Sequence, residues 1–190
     1  LLDEPILRPE KPYNKYGCED PRVTKLYDEY LITYTALSSP AFSGHGNRVG
    51  LASTKDFVNL ETHGTVGPDE NNKDAVIFPE YINGKITMLH RIEPNIQIIY
   101  FNDVEEMKNN PGSEFWDKYM KDLDKYTVLE RKYKWESKKI GAGPPPIKTK
   151  EGWLLIYHAV DRNKVYRAGA ALLDLDDPQK VIARSPEPIL

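Results

Sequence analysis

Val76-Ile77-Phe78-Pro79-Glu80-Tyr81, Asn83-Gly84, and Ile86-Thr87-Met88-Leu89-His90 together form the stretch whose reading decides the fold. Two apolar runs rich in β-branched residues flank an Asn-Gly pair, and both residues of that pair accept the positive φ that a tight hairpin turn demands. A third apolar run, Ile96 to Tyr100, follows at once. The stretch therefore reads as three consecutive antiparallel strands.

Working outward, the same order occurs on both sides. Val23 to Leu26, the turn Tyr27-Asp28-Glu29, Tyr30 to Thr35 and Arg48 to Ala52 precede it. Ile147, the turn Lys150-Glu151-Gly152, Trp153 to Tyr157 and Ala168 to Leu173 come after it. A polar turn then leads to a fourth, edge segment: Thr54-Lys55-Asp56-Phe57 before Val58 to Glu61, and Asp174 to Pro178 before Val181 to Ala183. A meander of four strands repeated at about 60 residues is the pattern of propeller blades, with a β-sandwich of hairpins as the competing architecture. The expected fold is all-β, a β-propeller of which this chain supplies about three blades.

The middle unit departs from the pattern. Between Asn102 and Tyr126, Phe115, Tyr119 and Leu123 recur at helical spacing, which predicts a short helical insertion near 103–124 with Ser113 as its cap. About three blades leave two sheet edges open, so the ring is expected to continue beyond residues 1–190 or to be completed by a partner chain. The start at Leu1, without Met, fits a portion of a longer protein.

Composition narrows the function classes. The 190 residues carry 26 Lys and Arg against 29 Asp and Glu, a net charge of −3, so no global basic field draws in nucleic acid or an anionic membrane. No run approaches the roughly 18 apolar residues of a membrane span. The single Cys18 has no partner for an internal disulfide, which predicts a reducing, cytoplasmic setting. His45, His63, His90 and His158 lack the spacing of a helical metal site, and no metal or cofactor is expected.

Three segments hold more polar residues and glycine than a plain strand needs. Tyr16-Gly17-Cys18-Glu19-Asp20-Pro21-Arg22 opens the first unit, and its carboxylates before proline suit a turn equally well. Asn72-Lys73-Asp74 leads into the central hairpin, which closes on His90-Arg91; Arg91, at the end of an apolar strand, must be paired or face a cavity. Lys138-Lys139-Ile140-Gly141-Ala142-Gly143 precedes Pro144-Pro145-Pro146, and Lys with Gly-x-Gly fits either an anion cradle or a closely packed loop. Tyr16, Trp135, Trp153 and Tyr157 read as packing aromatics, with stacking on a sugar face as the alternative for one or two.

In combination and in this order, these stretches resemble glycoside hydrolase family 130, the β-mannoside phosphorylases. The matching motifs are Gly17-Cys18-Glu19-Asp20-Pro21-Arg22, Lys73 to Glu80, His90-Arg91, Lys139 to Pro145, Gly152 to His158 and Tyr166 to Asp174. The resemblance implies a five-bladed β-propeller with the active site at the mouth of its channel. It implies Asp20 as general acid, Lys73, Arg91 and Lys139 facing phosphate, and His158 and Tyr166 completing the site. Further site residues, among them a carboxylate that holds the mannose ring, are implied outside this chain.

An inverting glycosidase needs a second carboxylate to deprotonate water. Inorganic phosphate is already an anionic nucleophile, so cations take that carboxylate's place. The resemblance further implies proton delivery through the mannose 3-hydroxyl and attack with inversion, giving α-mannose 1-phosphate. The expected partners are a β-1,4- or β-1,2-linked manno-oligosaccharide, inorganic phosphate as co-substrate and a possible second copy of the chain. Two rivals stand: a β-mannoside hydrolase on the same fold, and a noncatalytic carbohydrate-binding subunit.

Overall fold

The computed structural model describes residues 4–190. Three antiparallel sheets succeed one another along the chain. The first contains β1 (Gly17–Leu26), β2 (Glu29–Leu37), β3 (Asn47–Thr54) and β4 (Leu60–Thr65) in sequential order. The second contains β5 (Asn72–Ile77), β6 (Ile86–Ile92), β7 (Ile96–Phe101) and, after the helices α1 (Val104–Lys108) and α2 (Ser113–Lys121), β8 (Thr127–Leu129). The third is built from β9 (Lys139–Ala142), β10 (Ile147–Lys148), β11 (Trp153–Val160), β12 (Tyr166–Leu173) and β13 (Val181–Arg184). All three sheets are thus meanders, and the middle one regains its fourth strand beyond the helices.

The sheets stack face to face, which explains why their strands read as unbroken apolar runs. Successive side chains of a strand point to opposite faces. Ala75, Ile77 and Met88 pack with Leu31, Val49 and Leu51 of the first sheet. Their neighbours Val76, Phe78 and Leu89 pack with Ile140, Trp153, Leu155 and Tyr157 of the third. The outer face of the first sheet, Ile32, Tyr34 and Ala36, is covered by Leu7 and Tyr13 from the segment before β1. At about 25 cal/mol per Å² of apolar area removed from water, these layers are the main source of stability.

Polar stitches fix the order of the layers. Thr33 Oγ1 donates to Ala75 O at 2.6 Å and Thr24 Oγ1 to Ile77 O at 3.0 Å, joining the first and second sheets. Ile140 N donates to Pro94 O at 3.0 Å, joining the second and third. The hairpin turn is as expected: Asn83 and Gly84 both have positive φ, 50° and 75°, and Ile82 bridges Lys85.

Some boundaries differ from the sequence reading. The strand expected from Val76 to Tyr81 is instead β5, ending at Ile77, with Asn72, Lys73 and Asp74 inside it and a bulge between Lys73 and Val76. The edge segment expected over Val58 to Glu61 lies later, as β4. Ser113 does not cap α2. It is the first helical residue, Gly112 holds the cap position, and no side chain bonds to the free N–H groups there. The capping side chain belongs to α1, where Asp103 accepts from Glu106 N at 2.8 Å. Trp116 and Tyr119 form the buried face of α2, while Phe115 lies at the surface.

In the third sheet β9 and β10 pair with the two halves of β11, Ala142 opposite Tyr157 and Ile147 opposite Leu154. Pro144, Pro145 and Pro146 have no N–H to donate, so the ladder is interrupted between the halves. The gap falls beside β1.

Candidate functional site

The first strands of the sheets, β1, β5 and β9, bring their polar residues to one place. Arg22 on β1 is the link. Its Nε donates to Gly143 O at 3.0 Å, Nη2 to Ala142 O at 3.2 Å and to Asp74 Oδ1 at 3.1 Å, and Nη1 to Asp20 O at 2.7 Å. One guanidinium therefore holds β1, β5 and the end of β9 together while fixing the backbone at Asp20. That backbone is unusual: Asp20 has φ 51°, and the β1–β2 register shifts between Glu19 and Arg22. Positive φ is costly for most side chains and mildest for Asp and Asn, which fits an Asp here.

Asp74, also at positive φ (56°), is the buried anionic centre. Its Oδ1 faces Arg22, and its Oδ2 lies 2.5 Å from Arg91 Nη1 and 3.4 Å from His158 Nε2. Each partner comes from a different sheet. His158 Nε2 is also 3.1 Å from Arg91 Nη1. Arginine only donates, so Nε2 is the acceptor in that contact and the ring is neutral with its proton on Nδ1. Burial, reinforced by the charges of Arg91, Arg22 and Lys139 and opposed by Asp74, holds the His158 pKa below its ordinary value, in agreement with a neutral ring.

Gly141 explains the glycine in this part of β9. A Cβ there would stand 2.7 Å from His158 Cε1 and 2.8 Å from Arg91 Nη1, so only glycine lets the strand lie against the cluster. The close-packing reading of the Gly-x-Gly segment is the one the geometry supports, since Gly143 is likewise hard against Ile156 O.

Above the cluster opens a cleft of about 790 Å³. Lys73, Arg91, Lys139 and Tyr166 line it, as do Glu19 and Glu93. Its charged lining consists of five cations, Lys73, Arg91, Lys138, Lys139 and Lys164, against three carboxylates, Glu19, Glu70 and Glu93. The cleft is thus locally positive by two charges in a chain whose net charge is −3. Lys139 Nζ donates to Glu93 Oε1 at 2.8 Å, and the same oxygen lies 3.4 Å from Arg91 Nη2. Burial tends to raise the Glu93 pKa, but the Lys139 hydrogen bond and the Arg91, Lys139 and Lys138 charges outweigh it and leave it lowered. Lys73 makes no ion pair among the described residues.

The residues singled out from the sequence therefore fall into three groups. Lys73, Arg91, Lys139 and Tyr166 share the cleft wall. His158 lies behind Arg91, its ring 6.0 Å from that of Tyr166. Asp20 is exposed on its bulge with no side-chain hydrogen bond among the described residues, and its neighbour Glu19 lines the cleft. Trp135, Trp153 and Tyr157 are buried packing aromatics, whereas Tyr16 is half exposed. Asp74, Glu93 and Arg22 received no role from the sequence. An acidic residue inside the apolar β5 run was the one available signal for Asp74.

Among the described residues, no three His, Cys, Asp or Glu side chains come together as a metal site requires, and no helix is long and apolar enough to cross a membrane.

Comparison with known proteins places this architecture among carbohydrate-active enzymes. A solved structure of beta-1,2-mannobiose phosphorylase from Listeria innocua, in complex with beta-1,2-mannobiose, superposes with a TM-score of 0.81 at 37% identity, covering 99% of this chain and 49% of that one. The model of glycoside hydrolase family 130, described as beta-1,4-mannooligosaccharide phosphorylase, matches residues 1–190, and the chain belongs to that family. A 1,2-beta-oligomannan phosphorylase of Thermoanaerobacter sp. (strain X514) is 45% identical over 100% of this chain and 58% of its own length. A beta-1,4-mannooligosaccharide phosphorylase of Ruminococcus albus is 35% identical over 90% of this chain and 48% of its own. The chain spans about half the length of the relatives it matches.

Proposed function

We propose that these residues form part of a β-mannoside phosphorylase, which cleaves manno-oligosaccharides with inorganic phosphate and inversion to yield α-mannose 1-phosphate. The carrying observation is the convergence of Lys73, Arg91 and Lys139, from two separate sheets, on one positively charged cleft. Clustered like charges repel, and a bound dianion offsets that repulsion. In this reading Lys73, Arg91 and Lys139 bind phosphate with Tyr166, and His158 offers its Nδ1 proton or supports Arg91 from behind. Asp20 supplies the proton for the departing oxygen. The phosphate replaces the water and general base of an ordinary inverting glycosidase.

The three sheets are read as three blades of a five-bladed β-propeller whose remaining blades, and sugar-holding residues, lie outside the chain. A β-1,2 linkage is favoured over β-1,4, because a relative named for 1,2-linked mannan is 45% identical and the one named for β-1,4-mannooligosaccharides 35%. Cys18, half-buried against Asn14 Nδ2, fits a reducing, cytoplasmic setting.

The test is incubation of the complete enzyme with β-1,2- and β-1,4-manno-oligosaccharides, with and without phosphate, following mannose 1-phosphate and free mannose. Phosphate-dependent release of the sugar phosphate is expected. Equal release of free mannose without phosphate would replace this reading by hydrolysis.

A further inference from the structure

Glu93 follows Ile92, the last residue of β6, and its carboxylate reaches into the cleft. There a single oxygen, Oε1, is shared by Lys139 Nζ and Arg91 Nη2, cations from two different sheets. The three side chains differ in freedom. Arg91 is 2% exposed and held by Asp74, and Lys139 is 16% exposed on the short strand β9. Glu93 is 51% exposed, so a rotation about its own side-chain bonds carries it into water without opening the core.

We propose that Glu93 is an internal counter-ion: it occupies the anion position between Arg91 and Lys139 when the cleft is empty and is displaced by inorganic phosphate, so that it sets the apparent affinity for phosphate. The inference rests on the reading of Arg91 and Lys139 as phosphate contacts. Asp74 pairs with Nη1 of Arg91 from the core side, while Nη2 and the Lys139 ammonium face each other across the cleft, and the Glu93 carboxylate offsets their remaining repulsion. An arriving phosphate needs the same donors and carries the same sign as Glu93, so the two do not share the position. A half-exposed ion pair is weak, so phosphate, with more acceptor atoms and more charge, wins the exchange at a modest loss of affinity. No bond is made or broken in this step.

The experiment is calorimetric titration of inorganic phosphate into the complete enzyme and its Glu93→Gln, Glu93→Ala and Lys139→Ala variants, with the phosphate KM measured at saturating mannoside. Gln keeps the shape of the side chain and removes its charge. Displacement predicts that Glu93→Gln and Glu93→Ala bind phosphate ~3- to 10-fold more tightly, the range of a weak ion pair, with the mannoside KM unchanged. If Lys139→Ala weakens phosphate binding but neither Glu93 variant tightens it, the counter-ion role is overturned while the phosphate site stands. If Lys139→Ala leaves phosphate affinity unchanged, the phosphate site itself is refuted at these cations, and the counter-ion role with it.

Discussion

Asp74 Oδ2 stands 2.5 Å from Arg91 Nη1, with both side chains buried, and the other oxygen of the same carboxylate holds Arg22. Breaking a buried pair leaves an uncompensated charge and typically costs about 3–5 kcal/mol. Asp74→Asn keeps the shape and tolerates the positive φ, so the loss should fall near the lower end, about 3 kcal/mol. Urea unfolding of the two proteins measures it. An unchanged midpoint would mean that Glu93 alone satisfies Arg91.

Asp20 is exposed, so its replacement should leave the fold intact. If it supplies the proton, Asp20→Asn lowers turnover by on the order of 100-fold, the scale of a lost general acid, with phosphate affinity retained. Steady-state kinetics beside a melting curve separates the two effects. Full activity would move the role to Glu19, which lines the cleft, and Glu19→Gln would then be the inactive variant.

Gly141→Ala places a methyl group against Arg91, His158 and Asp74 at once. Overpacking of this kind costs about 1–3 kcal/mol, and relief comes by pushing the guanidinium out of place. The expected result is a lower melting temperature together with a raised phosphate KM. A variant with parental values in both would show that the strand moves away without cost.

The pH dependence of stability has a definite sign. His90 is buried, its ring nitrogens meeting Asn72 Oδ1 at 3.0 Å and Tyr119 Oη at 2.7 Å, and burial pushes its pKa down to about 3. The unfolded chain takes up the proton near pH 6.5 and the folded one does not. The neutral ring's contribution is therefore complete above pH 6.5 and is lost as pH falls toward about 3. Between pH 6.5 and 5, above the carboxylate range, one such proton lowers stability by up to about 1.4 kcal/mol per pH unit. His90→Gln should flatten the measured slope by one proton; an identical slope would assign the dependence to His63 and His158, whose pKa values burial also lowers.

What was legible in the sequence is what neighbours along the chain decide. Asn83-Gly84 announces its hairpin because the turn depends on two residues alone. The beginning of β5 was not legible: Lys73 and Asp74 look like turn residues, and Asp74 is kept in the strand by the charges of Arg22, 52 residues away in the first sheet, and of Arg91 on β6. The same distance hid the partnership of Glu93 with Lys139, 46 residues away. Ser113 shows the finer limit, since serine is a good cap and the fold placed the helix start one residue away from that use. The family resemblance of their motifs singles out Lys73, Arg91 and Lys139, and only the folded arrangement shows that Asp74 and Glu93 hold Arg91 and that Glu93 holds Lys139.

The bond from Arg22 to Gly143 joins residues 121 positions apart. Closing so long a loop is entropically slow, and contacts of large sequence separation form late in folding. On a ribosome, the first two meanders emerge and pack while Arg22 and Asp74 still lack the end of β9. The cleft thus gains its third wall, with Lys138, Lys139, Lys164 and Tyr166, only when the third sheet arrives, and a chain halted earlier carries Lys73, Arg91 and Glu93 but no closed pocket.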